Sequence, residues 1–369
     1  MRILIDARPL VDPRAGGVTR VARGLVAAFL STPVIPANAG TPPSPTEVVL
    51  ATTGSSKPDL SEFESGTVHH HHIKIPNKLW SLATMMGVES LSRTIEERIG
   101  KIDAVFLPNI GFVGQLTRPH VLVIHDLSFL IEPRWFSRRM QLWHDAVQAK
   151  RLIQNATHLL SVSETTKRDA IKLLGIPEGR ISVIPMGPTL TVGAHGMCPV
   201  PSDLNEQNGG REPHAPTPKR YILALGWNDP RKNARTADHA VEILQRDPAF
   251  ADLECITVGR DTARPTDEEL ASLYKHASAF LYPSWYEGYG FPLHEAASYG
   301  IPCIASTTGA LPETAPPGTL FADPAKPHHW AEALRTVLTA PRGARPSQPN
   351  TSSWLPAAKT LNEAISRRH

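Results

Sequence analysis

The chain has 369 residues, of which 41% are hydrophobic and 20% charged, and its formal charge is +3. Such a composition describes a globular chain of two or three domains and excludes disordered and fibrous classes. The charge is too small to argue for nucleic acid, and no apolar run reaches the roughly 18 residues that would span a bilayer.

Met1-Arg-Ile-Leu-Ile-Asp6 turns polar too early for a signal peptide and reads as a first buried strand, Arg2–Asp6. Further strands are expected at Glu47–Ala51, Ala104–Leu107, Val121–Ile124, His158–Val162 and Ile181–Ile184. Most are continuous runs of Val, Ile and Leu, as strands buried on both faces require. After the first strand, Gly16-Gly17 introduces a helix whose apolar face is Val18, Val21, Ala22, Leu25, Val26 and Phe29. Ser31–Pro45 is Pro-rich and reads as an insertion in a surface loop, since added loop length costs little closure entropy. His69–His72 reads as a polar loop and not a metal site, because four adjacent side chains cannot converge on one ion without strain.

A second series of strands is expected at Tyr221–Leu225, Leu253–Val258, Ala279–Tyr282, Pro302–Ala305 and Thr319–Phe321. Helical patterns accompany them at Ala234–Leu244, Glu268–His276, Pro292–Tyr299 and His329–Leu338. Strand and helix alternating twice over predict an α/β fold of two Rossmann-like, doubly wound domains facing across a cleft, with ligands at strand carboxyl ends. The expected boundaries are 1–187, a linker at 188–219, 220–340, and a Pro-rich tail with a closing helix at 341–369. Cys198, Cys255 and Cys303 stand far apart with no Cys-x-x-Cys pair, which disfavours a zinc ribbon or disulfide framework and fits a reducing cytoplasm.

The chemistry concentrates in Pro283-Ser-Trp-Tyr-Glu-Gly-Tyr-Gly-Phe-Pro-Leu-His-Glu295. A strand ends at Tyr282, a turn follows with Gly288 and Gly290, and Pro292 suits the first helical position. Backbone N–H groups at such a turn form an anion site. Glu287 sits on the loop, and Glu295 is expected in the first helical turn, where the dipole favours an anion. Carboxylates suit sugar or ribose hydroxyls, which donate to them, better than phosphate. In Gly226-Trp-Asn-Asp-Pro-Arg-Lys-Asn233, again at a strand end, Arg231 can fork onto phosphate oxygens and Lys232 can add a point charge. Gly16 and Gly17 permit close backbone approach, and His125-Asp126 ends the strand Val121–Ile124. Taken singly, each of these has a bland reading: surface carboxylates, a solvated helix start, a tight turn, a partly buried histidine.

Together they make the chain resemble the retaining GT-B glycosyltransferases of family 4 (glycosyl transferases group 1), which include many mannosyltransferases. The resemblance rests on Glu287-x7-Glu295 with Pro-Ser-x-x-Glu-Gly at its start and Glu-Ala-x-x-x-Gly-x-Pro at its end. Pro230-Arg-Lys-Asn233, Gly16-Gly17, His125-Asp126, Val162-Ser-Glu-x-x-Lys167 and Val183-Ile-Pro185 match further family motifs, over residues 2 to 338.

The resemblance implies an N-terminal acceptor-side domain and a C-terminal nucleotide-sugar-binding domain. Glu295 would contact the ribose, Glu287 the transferred sugar, and Arg231 and Lys232 the diphosphate; Gly288, Tyr289, Gly290 and Phe291 would complete the donor loop. Gly16 and Gly17 would lie near the sugar diphosphate, His125 near the transferred sugar, and Asp126 beside it. Catalysis would fall to His125 and Glu287, with no metal or other cofactor. The donor would be a nucleotide sugar, GDP-mannose favoured, and the acceptor a glycan or lipid-linked saccharide in cell-surface glycan synthesis. A cytoplasmic location at the inner membrane face is implied, where Arg134-Trp-Phe-Ser-Arg-Arg139 and Lys150-Arg151 offer a basic surface; the competing reading is a solvated helix face.

The chain also departs from the family. Val258-Gly-Arg-Asp-Thr-Ala-Arg-Pro-Thr-Asp-Glu-Glu-Leu270 is short, as if a helix and a strand beside the nucleobase were missing, which would leave a sheet edge uncovered. The alternatives are therefore a catalytically impaired nucleotide- or glycan-binding relative, or another GT-B enzyme such as a phosphorylase or epimerase. A dinucleotide oxidoreductase is disfavoured, since Asp6-Ala-Arg-Pro9 follows strand one where Gly-x-Gly-x-x-Gly would be needed.

Overall fold

The computed structural model describes residues 1–12, 16–32, 46–187, 220–262, 265–340 and 353–366. Most of the expected insertion (33–45), the linker (188–219), the Pro-rich tail and Cys198 lie outside these residues. The chain divides into two compact units, Met1–Pro188 with Thr351–His369, and Thr189–Asn350.

The first unit is built on seven strands: β1 (Arg2–Asp6), β2 (Glu47–Thr53), β3 (Val68–Ile73), β4 (Ala104–Leu107), β5 (His120–Ile124), β6 (His158–Ser161) and β7 (Ile181–Val183). They form one parallel sheet in the order β3-β2-β1-β4-β5-β6-β7. The continuous apolar runs are buried on both faces, as their composition demands, with Leu4, Val49, Val105, Leu122 and Leu159 in one core beside Trp80, Ile95 and Ile153. The order reverses at β1, so β1 and β4 diverge into a crevice at their carboxyl ends.

β3 corrects an expectation. His69–His72 is not a loop but most of this strand, which pairs in parallel with β2 alone. An edge strand tolerates polar side chains that a central one does not. The Thr52 hydroxyl on β2 meets His70 Nε2 at 2.7 Å and His72 Nδ1 at 3.0 Å, so these two histidines are engaged by the sheet itself. Among the described residues no three His, Cys, Asp or Glu side chains gather as a metal-holding group.

In the second unit, β8 (Tyr221–Leu225), β9 (Glu254–Val258), β10 (Ala279–Tyr282), β11 (Cys303–Ser306) and β12 (Leu320–Ala322) form a parallel sheet in the order β12-β11-β10-β8-β9. One face packs Ile222, Leu281 and Ile304 on Val241, Leu244 and Trp330; the other packs Leu223 and Phe280 on Tyr274 and Leu293. Truncating a fully buried side chain such as Phe280 to Ala would cost about 3–5 kcal/mol. The order reverses at β8, between β9 and β10.

β9 is the edge of that sheet, as the short segment after Val258 suggests. The chain turns back at once: Gly259 N–H donates to Thr262 O, and Arg260 and Asp261 fold along the strand. The helix Asp267–His276 then starts with Thr266 and Glu269 capping each other's backbone N–H.

The helix Gly17–Leu30 buries Val21, Ala22, Leu25, Val26 and Phe29. The C-terminal helix Leu355–Ser366 belongs to this first unit and buries Ala357, Leu361 and Ile365. Just before it, the Trp354 indole lies directly on Gly24 and Gly187, where any Cβ would collide with the ring.

Candidate active site

The loops after β8 and β10 emerge at the reversal point of the second sheet, where a ligand crevice is expected in a doubly wound fold. After β8, Asp229 accepts from the Arg231 backbone N–H at 3.0 Å and starts the short turn Pro230–Lys232. Asn233 ends it in the left-handed conformation, its side chain donating to the Pro283 and Pro324 carbonyls. Trp285 N–H donates to Arg231 O at 2.8 Å, which ties the two loops together. Gly226 (φ +84°) lies under Lys232; a Cβ there would come within 2.6 Å of Lys232 Cγ.

This stitching brings five side chains to one place. Lys232 Nζ lies 2.6 Å from Glu287 Oε1 and 2.6 Å from the Tyr282 hydroxyl. Arg231 lies 3.3 Å from Asp229 and 4.0 Å from the other Glu287 oxygen. Glu287 is 6% exposed. Burial would push its carboxyl up, but Lys232 and Arg231 outweigh that and hold it below the usual carboxylate range, ionised at neutral pH. Tyr282 is pushed far up by burial and next by Glu287, so its phenol stays protonated.

Glu287 is held from behind as well. Ala310 N–H donates to Glu287 O at 2.9 Å, and Gly309 (φ +61°) leaves room that a Cβ would fill, 2.7 Å from Glu287 N. Gly288 and Tyr289 continue the loop to Gly290, which caps the helix Phe291–Ser298 in the left-handed conformation. Tyr289 stacks on His294 at 5.1 Å and packs on Phe291, and burial pushes its phenol up to about 12.

The helix start corrects a second expectation. Because Gly290 caps it, Phe291 is the first helical residue and Pro292 the second, which places Glu295 beyond the first turn. The dipole argument for Glu295 therefore lapses. Its carboxylate, 4% exposed, is instead met by the Tyr274 hydroxyl, which donates to Oε2 at 3.0 Å. Tyr274 comes from the helix Asp267–His276, whose capping box sets its register.

The remaining candidates lie in the first unit. Gly16 (φ +45°) precedes the helix that Gly17 begins, after β1. His125 follows β5, and its Nε2–H donates to Pro108 O at 2.9 Å, after β4. That bond fixes the tautomer and leaves Nδ1 as the acceptor. Burial lowers the pKa of His125, which keeps the ring neutral at pH 7. Asp126 turns onto its own loop, accepting from Ser128 N–H and Oγ–H. Asp229, Tyr274 and Tyr282 are site residues that sequence reasoning missed. The signal was present at Tyr282, a hydroxyl at the last position of a strand whose loop carries the motif.

Comparison with known proteins matches residues 262–351 to the family described as Glycosyl transferases group 1 and residues 42–190 to Glycosyltransferase Family 4. The chain belongs to the family 4 glycosyltransferases. Among its relatives, the O-antigen chain mannosyltransferase B of Escherichia coli is 27% identical over 239 residues, 59% of this chain and 60% of that protein. The MMP alpha-(1->4)-mannosyltransferase of Mycolicibacterium hassiacum is 27% identical over 263 residues, 65% of this chain and 60% of that protein. The match to this family 4 member thus spans about three fifths of the length of these curated relatives. Sucrose-phosphate synthase from Thermosynechococcus elongatus shares its fold, with a TM-score of 0.62 and 21% identity over 99% of this chain and 96% of that one. Anabaena HepE, solved with UDP and glucose, gives 0.54 and 14% over 99% and 95%. Both are GT-B glycosyltransferases in fold.

Proposed function

We propose that this family 4 protein is a retaining hexosyltransferase that moves mannose or a similar hexose from a nucleoside diphosphate sugar, GDP-mannose first, to a saccharide or lipid-linked acceptor of a cell-surface glycan. The observation that carries this reading is the convergence of Arg231, Lys232 and ionised Glu287 at the reversal point of the second sheet.

Arg231 and Lys232 meet the diphosphate. Its charge grows as the glycosidic bond breaks, so fixed cations favour the transition state over the ground state. Glu287, acceptor-only when ionised, takes hydroxyl donors of the transferred sugar. Glu295, oriented by Tyr274, takes those of the ribose. Neutral His125 offers Nδ1 to a sugar hydroxyl. The acceptor attacks on the face the diphosphate leaves, and the leaving phosphate takes its proton, so no protein nucleophile is needed. Two cations stand where a metal would otherwise balance the diphosphate, and the reaction is proposed to be metal-independent. The names of the two mannosyltransferase relatives favour mannose.

We place the protein in the cytoplasm, peripheral to the inner membrane face. Among the described residues no helix is long and apolar enough to cross a membrane. The helix Arg138–Ala146 has no fully buried residue and sets Leu142, 68% exposed, one turn from Arg138 and Arg139. Such a basic and apolar face suits an anionic lipid surface.

The test is calorimetric binding of GDP, UDP and ADP to the purified protein, with and without EDTA. Saturable binding of one nucleotide, unchanged by EDTA and weakened in Glu295→Ala, is expected. Binding of none by a protein that melts cooperatively would instead favour the impaired relative, to which the short turn after β9 points.

A further inference from the structure

Lys232 has two oxygens at the same distance. Its Nζ stands 2.6 Å from the Glu287 carboxylate and 2.6 Å from the Tyr282 phenol, with the phenol ring centroid 4.8 Å away. An ammonium only donates, so the phenol oxygen is an acceptor here. The two acceptors are not equivalent. Glu287 lies on the loop after β10 and carries a full charge, whereas Tyr282 is the last residue of β10, buried and fixed by Phe280 stacked at 5.7 Å. With the carboxylate alone, the ammonium would be drawn wholly onto Glu287 and away from any phosphate.

We infer that Tyr282 is a positioning residue, whose phenol holds the Lys232 ammonium between the carboxylate and the terminal phosphate of a bound nucleoside diphosphate. This rests on the proposed nucleotide-sugar site and adds to it the group that decides how Lys232 is shared. The phenol suits the task because it accepts without adding a charge. The charged groups facing it are Lys232 and Arg231 from the turn after β8, Asp229 behind Arg231, and Glu287 on its own loop. A second carboxylate at position 282 would bind the ammonium outright; an apolar side chain would release it to Glu287.

Because the phenol acts through Lys232, its removal changes the response to the terminal phosphate and not to the nucleoside. The test measures the affinity of the wild type, Tyr282→Phe, Lys232→Ala and the double variant for the nucleoside diphosphate that binds best and for its monophosphate. Tyr282→Phe is expected to reduce the preference for diphosphate over monophosphate roughly tenfold, the size of one hydrogen bond to a charged group. The double variant should then lose no more preference than Lys232→Ala alone. Equal weakening toward both nucleotides, or losses that add in the double variant, would overturn the assignment. Should Tyr282→Phe fail to melt cooperatively, 3-fluorotyrosine at position 282 weakens the acceptor at nearly constant volume, and the same loss of preference is expected. A wild type that binds neither nucleotide defeats the reading of the site, a different failure from that of Tyr282.

Discussion

The Asp261 carboxylate accepts from the Thr257 backbone N–H at 2.7 Å, across the open edge of the second sheet. Next to it, Arg260 donates to Cys255 O at 3.0 Å, and the Arg260 and Asp261 N–H groups donate to Thr257 O. Cys255 and Thr257 are the residues of β9 that face away from β8. Three of their outward backbone groups are thus occupied by two consecutive residues. An edge with free groups templates pairing with another chain. The short segment after Val258 thus blunts the edge that β9 exposes.

Replacing both residues, Arg260→Ala with Asp261→Ala, keeps the backbone bonds to Thr257 O and is expected to free the other two groups, the Thr257 N–H and the Cys255 carbonyl. Hydrogen exchange should show faster exchange of the Thr257 amide, and sedimentation should show more self-association than the wild type at equal concentration. Each lost charge-assisted bond is worth about 1–2 kcal/mol, softened here by partial exposure. Unchanged exchange at Thr257 would show that these contacts do not protect the edge.

The Lys232–Glu287 pair predicts a sharp asymmetry between single and double replacement. Lys232→Ala leaves a buried carboxylate whose remaining cation, among the described residues, is Arg231 at 4.0 Å, and is expected to destabilise the second unit by about 3 kcal/mol. Lys232→Met combined with Glu287→Leu removes both charges and should recover most of that stability, because an apolar pair of similar volume needs no desolvation. Neither protein should transfer sugar. Calorimetric melting measures the first effect and donor turnover the second. A double variant no more stable than Lys232→Ala would mean that packing, not charge, sets the cost.

Much of this was legible in the residues. The apolar runs in Arg2–Asp6, Ala104–Leu107, Tyr221–Leu225 and Ala279–Tyr282 name their strands to the residue, because the interior positions of a strand buried on both faces are apolar throughout and polar groups stand only at its ends. β3 was not legible, since an edge strand with four histidines has neither apolar continuity nor alternation. The site motif located Glu287, Arg231 and Lys232 in chain order, but their convergence depends on Asn233, Trp285 and Gly309, whose roles are long-range. Glu295 was placed on the right helix and in the wrong turn, because the left-handed Gly290 fixes the start and a glycine's φ is not written in its neighbours.

The contact of Trp354 with Gly24 and Gly187 predicts a paired effect within the first unit. Gly24→Ala, inside the helix Gly17–Leu30, would ordinarily favour the helix. Here the new methyl meets the indole, and overpacking should cost about 1–3 kcal/mol, visible as a lower melting temperature. Adding Trp354→Leu vacates the ring's space and should restore part of the loss. If Gly24→Ala stabilises the protein, the indole does not rest on this helix in solution.

His70 predicts the response to acid. Burial, and next Lys57, lowers its pKa from 6.5 to about 4; Glu64 opposes this, and His72 and His71 add to it. A group whose folded pKa is depressed contributes stability that is full above the unfolded value and is lost as pH falls through the folded one. The first unit should therefore lose roughly 1–2 kcal/mol between pH 7 and pH 5, as the unfolded chain takes up a proton that folded His70 refuses. His70→Gln keeps a donor toward Thr52 without the titration, so its stability should vary less over that range. Denaturant midpoints at pH 7, 6 and 5 measure both proteins, and parallel curves would remove His70 as the cause.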